Sequence, residues 1–241
     1  MSPIAQQGRG RVNLFRRNPR PFPVPGHPAR VADLDPGLIA VLVVAAFFFS
    51  WYYAAFVYSR RLAARIAQEM KDAVLSLGGT SQVRWFGIGA FRMTTEGADP
   101  PFREFSVTVT LRPRQMPINW AIGTAQGRRD AALVEASLRE EPKVAFELVD
   151  PATRIGQRRK RARTDWSSAS IAAREWLLSA DDEGRVSRLL ADLGPEGLAA
   201  VMALHVTAGS TPGIAASLSV NPGEAAQGLA AIRSLADRLV G

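Results

Sequence analysis

The chain has 241 residues, 47% of them hydrophobic and 22% charged, with a formal net charge of +8 and no cysteine. The lack of cysteine excludes a disulfide scaffold, a cysteine-ligated zinc finger and any thiol enzyme. The length allows one or two ordinary domains, but the apolar residues are unevenly spread and the longest uncharged run lies near the N terminus.

Residues 1–36 carry seven prolines, and six arginines against two aspartates give them a net charge of +4. With almost no aliphatic periodicity they cannot bury a core, and they are expected to be disordered or extended, with PFPVPGHP locally polyproline-like. The plain reading is a solvated tail. Its charge also suits contact with anionic headgroups or RNA.

Between Asp35 and Arg60 no residue is charged. The stretch Gly37–Tyr58 would span about 33 Å as a helix, the thickness of a bilayer's hydrocarbon core, and predicts a transmembrane helix over 37–58. Asp35 suits the N-cap and Pro36 the first helical position. Trp51, Tyr52, Tyr53 and Tyr58, followed by Arg60 and Arg61, are the candidate interface residues, because aromatic and basic side chains gather where hydrocarbon meets water. A cleaved signal peptide would carry a shorter apolar region closer to Met1. Arg60, Arg61, Arg65 and Lys71 after the span outnumber Arg17, Arg20 and Arg30 before it. Nearby acids count little in that balance, so the expectation is a single-pass cell-membrane protein with its large C-terminal domain in the cytoplasm.

Leu62, Ile66, Met70, Ala73 and Leu77 recur every three or four residues, with Arg60, Arg61, Gln68, Lys71 and Asp72 elsewhere. This predicts an amphipathic juxtamembrane helix over 59–79, ended by Gly78-Gly79, whose apolar stripe packs on the following domain or a partner helix. Residues 81–241 then read as one α+β domain. Val83 to Thr94 is expected as one long glycine-containing strand, and Phe105, Val107, Val109 and Leu111 as a second strand, half buried by its period of two. MPINWAIGTAQG is read as a loop or short helical turn. Ala131–Leu138 and Val144–Val149 flank a Pro142 break and are expected to pair as an antiparallel hairpin.

Further on, Glu175–Ser179 reads as a strand, and Asp181 and Asp182 cap a helix with Val186, Leu189, Leu190 and Leu193 inside. Gly194-Pro195 starts another helix, Glu196 to about Val206. Ile214, Ala216, Leu218 and Val220 form a strand. Asn221-Pro222 opens a last helix with Ala225, Leu229, Ile232, Leu235 and Leu239 on one face. The fold class expected is thus α+β: a transmembrane helix extended into a stalk, then a mostly antiparallel sheet with helices packed on one face.

Motifs that carry chemistry are scarce. The two histidines, His27 in the tail and His205 in a segment read as apolar helix, lie on opposite sides of the span, so a histidine-based metal site or a Ser/His/Asp triad is not expected. Gly87-Ile88-Gly89 falls short of a dinucleotide fingerprint because Arg92 holds the third glycine position. No cofactor and no metal site is expected. The remaining signal is basic: Arg158, Arg159, Lys160, Arg161 and Arg163, with Arg154 before and Trp166 after, in a segment expected to be a loop over 154–166. Such a loop can neutralise phosphates of ribosomal RNA or anionic lipid, with Trp166 stacking on a base or sitting at an interface.

The stretch GRRDAALVEASLREEPKVAFELVD, followed by EWLLSADDEGRVSRLLADLGPEGLAAVMAL, resembles uncharacterised prokaryotic single-pass membrane proteins with a cytoplasmic α+β domain. In layout, Gly37 to Gly241 is distantly similar to the SEED-domain subunit of the eukaryotic PAT complex, though without the long charged coiled coil that ends that protein. The resemblance implies a role in membrane-protein insertion beside the ribosome-bound translocon and assigns no residue.

The function expected is therefore a membrane-anchored, non-catalytic interaction module, with the bilayer, other membrane proteins, and the ribosome or anionic lipid as partners, and no DNA. The alternatives are an accessory subunit of a larger membrane complex and a membrane-tethered hydrolase using carboxylates such as Glu135, Glu147 or Asp165.

Overall fold

The computed structural model describes residues 35–241, so the expected disordered tail lies, through residue 34, outside the described residues. The chain divides into two compact units, one ending at Val43 and one running from Val44 to Gly241. In the first unit, Asp35 starts the helix as expected: its carboxylate accepts the Gly37 N–H at 2.9 Å and its carbonyl that of Ile39 at 3.0 Å.

Helix α1 covers Pro36–Leu75. It is the one helix among the described residues long and apolar enough to cross a membrane; its most apolar 18-residue window has a mean hydropathy of 2.1 and none of it is buried. From Ser59 onward the pattern changes as the periodicity requires. Leu62, Ala63, Ile66, Met70 and Val74 are buried in the same core as the sheet, while Arg60, Arg61, Gln68, Lys71 and Asp72 are exposed. The helix ends at Leu75, short of the expected 79, and the chain leaves it through Gly78 and Gly79, which both take positive φ. A side chain on Gly79 would meet the Glu96 carbonyl at 2.3 Å, so this tight exit needs glycine.

Nine strands follow: β1 (Thr80–Trp85), β2 (Ala90–Glu96), β3 (Phe102–Thr110), β4 (Ala131–Leu138), β5 (Phe146–Val149), β6 (Ser167–Ile171), β7 (Arg174–Ala180), β8 (Val201–Val206) and β9 (Ile214–Ser219). They form one antiparallel sheet in the order β1-β2-β3-β4-β9-β8-β5-β7-β6. Across it, Val107, Val134, Ala216, Leu204, Leu148 and Leu178 stand side by side in one fully buried row. The neighbouring row, Ser106, Glu135, Ala215, His205, Glu147 and Ser179, turns to the other face and is mainly polar. The period of two thus sorts the sheet into an apolar and a polar side.

Against the apolar side pack the buried stripe of α1 and helices α4 (Glu183–Ala191), α5 (Gly194–Ala199) and α6 (Ala225–Val240). Val186 and Leu190 of α4 and Leu229, Ile232, Leu235 and Leu239 of α6 are the inward positions. Two short helices complete the chain, α2 (Pro117–Ala125) and α3 (Arg154–Ala162).

Several local expectations are corrected. The expected long strand over Val83–Thr94 is the β1–β2 hairpin, with Gly87 at φ +95 in its turn. Ala131–Leu138 and Val144–Val149 do not pair: β4 bonds to β3 and β9, β5 to β7 and β8, because the C-terminal hairpin β8–β9 inserts between them. The helix expected over Glu196–Val206 ends at Ala199, and Val201–Val206 is a central strand, so His205 lies on a strand, opposite Glu147. The basic segment expected as a loop is helix α3 through Ala162. Thr153 caps it by accepting the Gly156 N–H at 3.1 Å. Gly156 is required there, since a side chain would meet the Asp150 carbonyl at 1.9 Å. Finally, Glu224 stands at the N-cap of α6, and Asn221 donates to its carboxylate from three residues back.

Candidate functional site

One end of the sheet gathers three connections. Because Ala90 and Ala131 both lie opposite Thr110, and Val149 lies opposite Ala203 near the start of β8, the β1–β2 turn, the segment 111–130 containing α2, and the entry to α3 all leave the same end. The Leu111 N–H donates to the Gly89 carbonyl at 2.7 Å and ties the first two together.

The aromatic part of α1 lies at this end. Trp51 donates its indole N–H to the Arg114 carbonyl at 3.0 Å, and its ring centre is 5.8 Å from that of Trp120 on α2. The Arg114 guanidinium lies 5.5 Å over the Tyr58 ring and 2.5 Å from the Asp130 carboxylate. Asp130 also accepts the Arg112 N–H at 2.7 Å. One acid thus fixes two arginines and with them the approach to α2. Tyr52, Tyr53, Tyr58, Arg60 and Arg61 are exposed, whereas Trp51 is half buried against the domain. Of the aromatic belt expected from sequence, Trp51 therefore serves as a clamp between α1 and α2.

Helix α2 and its N-cap leave large apolar side chains on the surface. Met116, Ile118 and Ile122 are 60%, 66% and 50% exposed, and Trp85 and Phe86 of the nearby β1–β2 hairpin are also exposed. Exposed apolar side chains of this size at one end of a domain suit a contact with something apolar.

The basic cluster is split by the turn of α3. Arg154, Arg158 and Arg161, at helical spacings of four and three, share one face and border an open groove of roughly 1060 Å³ with Arg112, Arg128 and Arg129. Arg159 and Arg163 turn the other way and bind the two oxygens of Glu147, at 3.1 and 3.0 Å. Glu147 itself is buried on the sheet's polar side, so this pair pins α3 to the sheet. Arg163 also chelates Asp165 and lies 5.3 Å over Trp166, whose indole N–H points to the Arg159 carbonyl at 3.4 Å. These bonds from Arg163 hold the exposed Asp165 carboxyl below its ordinary pKa, and Arg163 is raised in turn, chiefly by the same bond to Asp165. Trp166 is thus engaged within the domain. Lys160 is exposed and makes no ion pair among the described residues.

The carboxylates considered for hydrolysis are all engaged by arginine, and Glu147 and Asp165 share one guanidinium, that of Arg163. Glu135 is 3.3 Å from Arg92 and near Ser106, Glu147 is held by α3, and Asp165 is held by Arg163. Among the described residues no three His, Asp or Glu side chains gather as metal ligands.

Sequence reasoning did not assign Arg112, Arg128, Arg129, Met116, Ile118 or Ile122. The available signal was the pair of arginine-rich flanks, LRPR and GRR, bracketing an apolar run with a proline at its start. No protein-family model and no curated protein matches the chain.

Proposed function

We propose that this chain is a single-pass membrane-anchored, non-catalytic interaction module whose C-terminal domain rests on the cytoplasmic face of the cell membrane and assists the assembly or insertion of other membrane proteins. The observation that carries the reading is the change of character within α1: an exposed, uncharged stretch leads into residues 62–74, which are part of the domain's core. The exposed apolar side chains of α2 support it, because they add apolar surface where the uncharged part of α1 meets the domain. Glu135, Glu147 and Asp165 each pair with an arginine, which favours the non-catalytic reading over the hydrolase.

The test is fractionation and affinity purification of the full chain from its native membranes in mild detergent. Retention in the membrane pellet at alkaline pH is expected, with membrane-protein subunits recovered at defined stoichiometry and lost from a variant carrying Ile118→Ser and Ile122→Ser. Release into the alkaline supernatant would overturn the anchor. A chain that purifies alone would overturn the interaction module.

A further inference from the structure

We propose that the groove between β3, β4 and α3 is a binding site for the phosphate of an anionic phospholipid headgroup. The inference rests on the membrane-anchored reading above and adds a ligand and a site to it.

The first argument is charge. Arg112, Arg128, Arg129, Arg154, Arg158 and Arg161 line the groove and no acidic residue does. The acids beside it are committed elsewhere: Asp130 to Arg112 and Arg114, and Asp150, which accepts the Ala152 N–H, to Arg174. The other five guanidinium groups make no ion pair among the described residues, and Arg154 has only the neutral Gln126 side chain, at 3.2 Å. Five like charges around one concavity repel one another and create a positive potential that a phosphate relieves; guanidinium forks match phosphate oxygens two at a time.

The second argument is position. Arg112 lines both this groove and a smaller cleft formed by Trp51, Ala54, Ala55, Tyr58, Arg114 and Trp120. The groove therefore lies level with the aromatic end of the apolar run, and that is the depth at which headgroups sit if the run spans the bilayer. The exposed Ile118 and Ile122 of α2 lie at the same end of the sheet, suited to the acyl side of that boundary.

The third argument is the character of the walls. Leu111, Pro113, Ile155 and Met202 contribute apolar surface, and no aromatic side chain lines the groove. Single-stranded RNA is held by basic grooves that also offer stacking rings. Apolar side chains interspersed with basic ones fit a glycerophospholipid instead.

The test is equilibrium binding of fluorescent phosphatidylglycerol, against fluorescent phosphatidylcholine, to the full chain in an uncharged detergent. Tighter binding of phosphatidylglycerol is expected. The triple variant Arg128→Gln, Arg158→Gln, Arg161→Gln should weaken it on the order of 100-fold, from the usual contribution of each basic side chain near an anionic surface. A control with the same charge loss elsewhere, Arg103→Gln, Arg185→Gln, Arg188→Gln, should bind as the unaltered chain does; its three arginines are exposed and outside the groove. Thermal midpoints of both variants check folding. Equal binding of the two lipids, or an unchanged preference in the groove variant, overturns the proposal. So does displacement by millimolar inorganic phosphate, which would make the ligand a free anion, or a higher affinity for an oligoribonucleotide. Alkaline extraction of the same preparation separates the two failures: a chain that stays in the membrane but shows no headgroup preference refutes the groove alone.

Discussion

Ile66→Ala tests whether α1 belongs to the domain's core. Ile66 is fully buried, among Ala63, Met70 and the sheet residues of one continuous cluster. The substitution removes three carbons, about 2.4 kcal/mol at ~0.8 kcal/mol each. The cavity left behind adds to this and the better helix propensity of alanine subtracts a few tenths, for a net loss of about 3 kcal/mol. For a domain of this size that lowers the thermal midpoint by roughly 6–12 °C. The assay is thermal unfolding of the full chain in detergent followed by circular dichroism, with Val44→Ala as comparison. Val44 is on the same helix but 54% exposed, and its variant should stay within about 0.5 kcal/mol of the starting chain. If the two variants unfold together, residues 62–74 are a tether and not a wall of the core.

Two further outcomes follow from the ion pairs. Asp130→Ala leaves Arg114, only 11% exposed at its side chain, without its carboxylate, and should cost about 3–5 kcal/mol in chemical denaturation; Asp130→Asn, which keeps an acceptor, should cost less. For Asp165 the folded pKa lies below the ordinary value of 3.8, so its pair with Arg163 contributes above that value and loses its effect as pH falls through the folded one. Unfolding midpoints of the unaltered chain and of Asp165→Asn should differ at neutral pH, slightly because the pair is exposed, and converge in acid. A gap independent of pH would refute the assignment.

Elements with a strong single period were legible in the chain: the uncharged run of α1, the Leu62-Ile66-Met70 stripe, the alternation of β3, and the inward faces of α4 and α6. Segments without such a period were misread. Val201-Met202-Ala203-Leu204 is apolar at every position, as a central strand buried on both sides can be, and that run fits a helix equally well. Ser167–Ile171 is a small-residue edge strand with little alternation to detect. Helix α3 shows no apolar stripe: Gly156 packs on the turn at Asp150 and Pro151, and Arg159 with the C-cap Arg163 ties it to Glu147 of the sheet, a polar means of packing. The β4–β5 error came from assuming that neighbours in sequence pair in space. The groove was half visible: Arg158 and Arg161 belonged to an evident cluster, but Arg112, Arg128 and Arg129 join them only through the order of the sheet.

That order has a consequence for synthesis. While residues up to 200 emerge, β1–β4 and β5–β7 are two separate part-sheets, each ending in an edge that nothing covers: β4 on one, β5 on the other. Both edges later become interior, and their buried residues make them good templates for pairing with other chains. Residues 201–219 close the gap, slotting a hairpin between two strands made long before it. The uncharged run of α1 has by then already left the ribosome, so this domain completes itself late, from its middle outwards, with the polypeptide's most apolar segment needing a destination before the sheet has one.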